Sequence, residues 1–139
     1  MAKLVLTDVV VTISGTTISD HVASVTLTTD VAEVATTAFG DTAVTRVGGL
    51  KDNSIQLEIM QDFAVSPSNS IEAVVYPLIG TVVAMTVKPT SGAISTSNPE
   101  YQFNALINSW SPVAGAVGDL ATVSVTWPIS GAITKDTTP

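Results

Sequence analysis

The chain has 139 residues, with 12 acidic against 5 basic side chains for a formal charge of −7, one histidine and no cysteine. That excludes a disulfide framework, a thiol nucleophile and a Cys/His zinc cluster, and leaves one imidazole at most for any catalytic triad. A single domain over residues 1–139 is expected at this length, with a folded surface of roughly 6,800 Å² by area scaling, about a third of what the unfolded chain exposes.

Valine (20), threonine (20) and isoleucine (10) together make 50 of the 139 residues β-branched. Such side chains are stiff at χ1 and pack well on a pleated surface, so a mainly β fold follows. Charged residues are 12% of the chain, about half the share in an ordinary soluble domain. Much of the surface is therefore Thr, Ser and apolar, which suits a protein that covers its outside with copies of itself. No run approaches the roughly 20 apolar residues of a membrane span, so no membrane partner is expected. The opening MAKLVLTDVVVTISG is interrupted by Asp8 and reads as a strand, not as a secretion signal.

In chain order, residues 3–13 form a β-branched run ended by the turn Ser14-Gly15-Thr16-Thr17. Residues 22–29 alternate, Val25 and Leu27 opposing Ser24, Thr26 and Thr28, as in a half-buried strand. Residues 30–52 are long for a loop and read as a projecting β-hairpin, with arms Val31 to Ala38 and Thr42 to Val47 around Phe39-Gly40-Asp41. The pair Gly48-Gly49 reads as a hinge or bend. Residues 54–62 set Ile55, Leu57 and Ile59 against Gln56, Glu58 and Met60.

An Asn69 cap with Glu72 three positions on, followed by Ile71, Val74, Val75, Leu78 and Ile79, predicts one short amphipathic α-helix, spoiled at its end by Pro77. Residues 81–88 form a run that two covered faces would explain. Residues 89–99 are a Pro/Ser-rich surface loop. The stretches 101–108 and 122–127 alternate again, with Phe103, Ala105 and Ile107, then Val123, Val125 and Trp127, on the apolar side. Six strands at this spacing predict two packed antiparallel sheets, a sandwich or partial barrel, flanked by the short helix and the long hairpin.

Chemistry is sparse. Asp20 and His21 are neighbours, but neighbours on a strand point to opposite faces, so a turn histidine is the expectation. Glu58 and Asp62 lie too far apart along a strand to share a proton. Phosphate-loop, dinucleotide, calcium-loop and nucleophile-elbow motifs do not occur. Lys3, Arg46, Lys51, Lys88 and Lys135 are scattered among excess acid, so the chain should repel DNA on average. No catalytic residue, metal or cofactor is expected.

Across nearly its whole length the chain resembles the major tail protein, or tail tube protein, of long-tailed non-contractile bacteriophages. The likeness lies in KLVLTDVVVTISG, in VTLTTDVAEVATTAFGDTAVTRVGGLKDNSIQLEIMQDF, in the helix end YPLIGT and in the closing ATVSVTWPISGAIT, and in their order. The resemblance implies two packed sheets with one helix, six copies in a ring whose inner sheets join into a barrel, and rings stacked as a tube. It implies a virion protein, assembled in the host bacterial cytoplasm, through which double-stranded DNA passes without tight binding. Tape-measure, tail-tip and tail-terminator proteins are the implied partners.

The hairpin in this family reaches a neighbouring subunit, which makes Phe39, Arg46, Gly48, Gly49 and Leu50 candidate interface residues. Gln56 and Glu58, on the polar face of a well-patterned strand, are the lumen-facing candidates. The chain's end at Pro139, without the immunoglobulin-like decoration domain of many members, implies a bare tube. A secreted or surface β-sandwich binding or adhesion module is the alternative. It lacks a signal peptide and has only two Trp and two Tyr for a sugar platform. A carboxylate hydrolase has only the scattered acids in its favour.

Overall fold

The computed structural model describes residues 3–63 and 70–139. Eight strands are present among them: β1 (Val10–Ile13), β2 (Thr16–Thr17), β3 (Val22–Ala35), β4 (Arg46–Met60), β5 (Val82–Lys88), β6 (Glu100–Leu106), β7 (Thr122–Pro128) and β8 (Thr134–Asp136). They form two antiparallel sheets, ordered β2-β1-β5-β6-β8 and β3-β4-β7. The fold is mainly β, two packed antiparallel sheets with one short helix and a long hairpin, as the β-branched composition predicts; the sheets do not close into a barrel.

Every alternating strand puts its apolar set inward. Ile55, Leu57 and Ile59 of β4, Val123, Val125 and Trp127 of β7, Met85 of β5, and Phe103 and Ala105 of β6 share one buried cluster. Trp127 is 0% exposed, and its indole N–H donates to the Ser109 carbonyl at 2.9 Å, which satisfies the one polar group that so large a core residue carries in. The sheets are stitched together on one side, where Ala105 bridges Ile129 and Ser130 N donates to the Asn104 carbonyl.

Several expectations are corrected. Only Val10–Ile13 of the predicted first strand joins a ladder; residues 3–9 form an arm, bent at Thr7 and Asp8, without ladder partners. Strand β5 buries Val83, Met85 and Val87 on one face while Val82 and Ala84 are exposed, so it is covered on one side and not both. The short β8 carries too few residues to show a period. The helix, α1, spans Ile71–Val75 and tightens into a 3-10 turn at Tyr76–Leu78, where Pro77 cannot donate an α-helical bond. Its cap is Ser70, whose hydroxyl accepts from Ala73 N at 3.2 Å. The predicted Asn69 cap lies outside the described residues.

The hairpin is more regular than its sequence suggests. The ladder of β3 and β4 runs from the core, through one bulge, to Ala35 opposite Arg46, so residues 48–52 are strand and not a linker between an arm and the core, while the predicted arms lose Thr36 to Ala38 and Thr42 to Thr45 to the tip loop. The Gly48-Gly49 bend is a β-bulge: between the pairs Val31–Lys51 and Glu33–Gly48, Ala32 alone faces Gly49 and Leu50. A Cβ on Gly49 would lie 3.3 Å from the Ala32 carbonyl oxygen and 3.1 Å from a Val34 methyl, so the bulge brings backbone and side chains in close.

Candidate assembly surfaces

Three surfaces of the molecule are unfinished. The first is the two-stranded ribbon, whose residues 29–52 are all exposed. At about 3.3 Å per residue it extends up to roughly 35 Å past the body, and an isolated hairpin of this kind is marginal in water. Thr36 N donates to the Thr45 carbonyl at 2.8 Å and the two threonine hydroxyls pair at 2.7 Å, which carries the pairing beyond Ala35–Arg46. The Asp41 carboxylate accepts from Ala38 N at 2.7 Å and closes the predicted turn. That turn leaves Phe39, 109% exposed, at the tip.

Of the other hairpin candidates, Arg46 begins β4 and forms an ion pair with Glu33, both side chains more than half exposed. Gly48, Gly49 and Leu50 lie in and beside the bulge, Leu50 at 87% exposure. Val34 and Val47 face each other across the ladder, and both are exposed.

The second surface is the outer face of the β3-β4-β7 sheet. Its cross-strand rows are Ser24–Glu58–Ser124, Thr26–Gln56–Thr126 and Thr28–Ser54–Pro128. Gln56 and Glu58 are thus at the middle of a hydroxyl-rich wall, both exposed. Beyond it, Asp30 stands directly opposite Asp52 on the same face. Like charges in that position are unfavourable in a sheet, and no cation among the described residues forms an ion pair with either. The wall is polar and acidic, with nothing to grip a phosphate.

The third surface is an open seam on the side of the sandwich opposite the Ala105–Ile129 stitch. A groove of about 500 Å³ lies between the inner face of β3 (Val25, Leu27) and the Tyr101, Ile133 and Lys135 side of the other sheet, with Leu4 and Leu6 of the N-terminal arm as its third wall. A second concavity of about 340 Å³ continues it past Leu6 and Val9 along β3. Asp8 clips the arm to the body: its carboxylate accepts from both the hydroxyl and the backbone N–H of Ser91. Those two bonds, the hydroxyl first and then the backbone, with Lys88 adding to them, hold the Asp8 carboxyl below its ordinary 3.8.

His21 is the turn histidine the sequence predicts, in the 3-10 turn Ser19–His21. The turn also lets the Asp20 and His21 side chains meet, at 2.9 Å, which neighbours on a strand do not do. Asp62, just past the end of β4, takes the other ring nitrogen at 3.2 Å. With a carboxylate on each nitrogen, the imidazole is a clasp between the start of β3 and the end of β4. Neither nitrogen is left to activate a nucleophile. Among the described residues there is no cluster of three or more His, Cys, Asp or Glu side chains that could hold a metal, and no helix is long and apolar enough to cross a membrane.

No known family and no curated protein matches the sequence. Among solved structures, the chain is similar to a component of the "Virion of native gene transfer agent (GTA) particle", at 16% identity and a TM-score of 0.68. The match covers 92% of this chain and 95% of that one, so the two-sheet body and its elaborations have a counterpart that is almost co-extensive with it. The chain thus has the fold of a polypeptide found in a gene transfer agent virion.

Proposed function

We propose that this protein is a structural virion component, a tail tube subunit that assembles with copies of itself into hexameric rings stacked as a conduit for double-stranded DNA. The observation that carries the reading is surface out of proportion to size. The chain exposes 8792 Å² against roughly 6,800 Å² for a compact monomer of its mass. The excess, about 2,000 Å², is of the order that stable interfaces bury, and the ribbon and seam are among the places where the structure leaves apolar groups uncovered. The fold it shares with a virion component, across nearly the whole of both chains, supports the same conclusion.

The wall face supplies the conduit chemistry. A lumen lined by Ser24, Thr26, Gln56, Glu58, Ser124 and Thr126 offers hydroxyls, amides and carboxylates but no cation. DNA phosphates then have no contact that would release counterions, and the duplex slides on its own hydration. Catalysis has no part in this role, which works by shape, closure and charge sign. Native mass spectrometry, with electron microscopy of the concentrated protein, tests it: six-copy rings or tubes are the expected species, and a monomer at every concentration contradicts the proposal.

A further inference from the structure

Two of the unfinished surfaces match each other in chemistry, yet do not meet within one chain. Phe39 is a fully exposed aromatic at the tip of the ribbon, beyond its last ladder pair Ala35–Arg46. The groove, lined by both sheets and the N-terminal arm, is apolar and has the volume for a large side chain. It opens between β3 and the other sheet, beside the root of the same ribbon. The charge signs agree as well: two residues after Phe39 the tip carries Asp41, and the groove rim carries Lys135, which has no ion-pair partner among the described residues.

The geometry points to a trans contact: the Phe39 ring of one copy seats in the groove of a second copy, between Leu6 and the Tyr101–Ile133 side, with Asp41 toward Lys135. The inference rests on the self-assembly proposed above and names the two patches that mate. The occupant is a copy of this chain because the ribbon is the chain's own complement to the groove, in both apolarity and charge. A tip-to-groove contact joins different patches on the two partners, so every bound copy still offers a free tip and a free groove. Heterologous contacts of that kind propagate into rings when the rotation closes and into filaments when it does not.

The absence of native cysteine makes the test clean. In the full-length protein, Phe39→Cys is combined with Leu6→Cys, with Ile133→Cys as a second groove position and Val117→Cys, exposed on the loop before β7, as the control. After assembly and mild oxidation, the groove pairs are expected to give a ladder of covalent multimers on a non-reducing gel, and Val117→Cys is not. Phe39→Ser should raise the concentration needed for assembly by on the order of tenfold to a hundredfold, the worth of burying one phenyl ring, and leave the melting temperature of the monomer unchanged. Tubes that form with residue 39 linked only to residue 117, or to no tested position, would overturn the tip-to-groove contact and leave the tube intact. If the unmodified protein forms neither rings nor tubes, the tube itself is refuted.

Discussion

Replacing Thr36–Thr45 by Asn-Gly should remove the ribbon tip at almost no cost to the fold. Ala35 and Arg46 stand directly opposite each other, which is the geometry that a two-residue type I′ turn closes, and Asn-Gly tolerates the positive φ such a turn needs. The lost interactions are the Thr36–Thr45 pair, the Thr45 N–H bond to the Thr37 hydroxyl and the Ala38–Asp41 turn bonds, all exposed and together worth about 2 kcal/mol net. Against this, closing a loop of two residues in place of ten is cheaper by about 1.4 kcal/mol. None of the deleted side chains belongs to the buried cluster. The net change is therefore within about 1 kcal/mol, and a thermal melt followed by circular dichroism should move by less than about 5 °C. The same variant, imaged at concentrations where the unmodified protein assembles, should give no tubes. A loss of stability above about 3 kcal/mol in urea would refute the reasoning, since it would mean that the tip helps to hold the body together.

Three further outcomes are expected. Trp127→Ala should cost about 3–5 kcal/mol, measured by urea unfolding, because it opens a cavity at the centre of both sheets; Trp127→Phe should cost about 1–3 kcal/mol, chiefly from stranding the Ser109 carbonyl. Ser91→Ala should return the Asp8 carboxyl toward its ordinary 3.8, read from an NMR titration of the side chain. Because folding depresses this carboxyl, the clip's contribution is complete above the unfolded value and is lost as pH falls below it, so the arm loosens only in acid. Glu58→Lys should leave assembly intact but make the tube retain duplex DNA at low salt and release it as salt rises, followed by co-sedimentation; no retention at any salt would remove Glu58 from the lumen wall.

The period-2 alternation of Val25 and Leu27, of Ile55 to Ile59 and of Val123 to Trp127 was enough to place three strands and their buried faces, because one covered side imposes the pattern. It fails where both sides are open: from Asp30 to Asp52 no core selects the residues, so a bulged ladder that runs to Ala35 and Arg46 is written in a sequence that looks irregular. The first strand was over-read because the Lys3–Val9 arm is as β-branched as a paired strand, and composition does not reveal whether a ladder partner exists. His21 is legible as a turn residue, but the Asp20–His21 contact is not, because only the 3-10 geometry brings adjacent side chains together. Gln56 and Glu58 were legible as polar-face residues, but the uncharged rows around them depend on registers that link residues 24, 58 and 124. The groove was not legible at all: its walls come from β3, the N-terminal arm and strand ends spread from residue 4 to residue 135.

The central claim is that the chain closes into rings around its polar wall. A cryo-electron microscopy reconstruction of the concentrated, full-length protein tests that most directly. The account predicts six-fold rings stacked into a hollow tube, with Gln56 and Glu58 on the lumen and the ribbon engaged by a neighbouring copy. A reconstruction with the β3-β4-β7 wall facing outward, or a solution holding only monomers at every concentration, would contradict it.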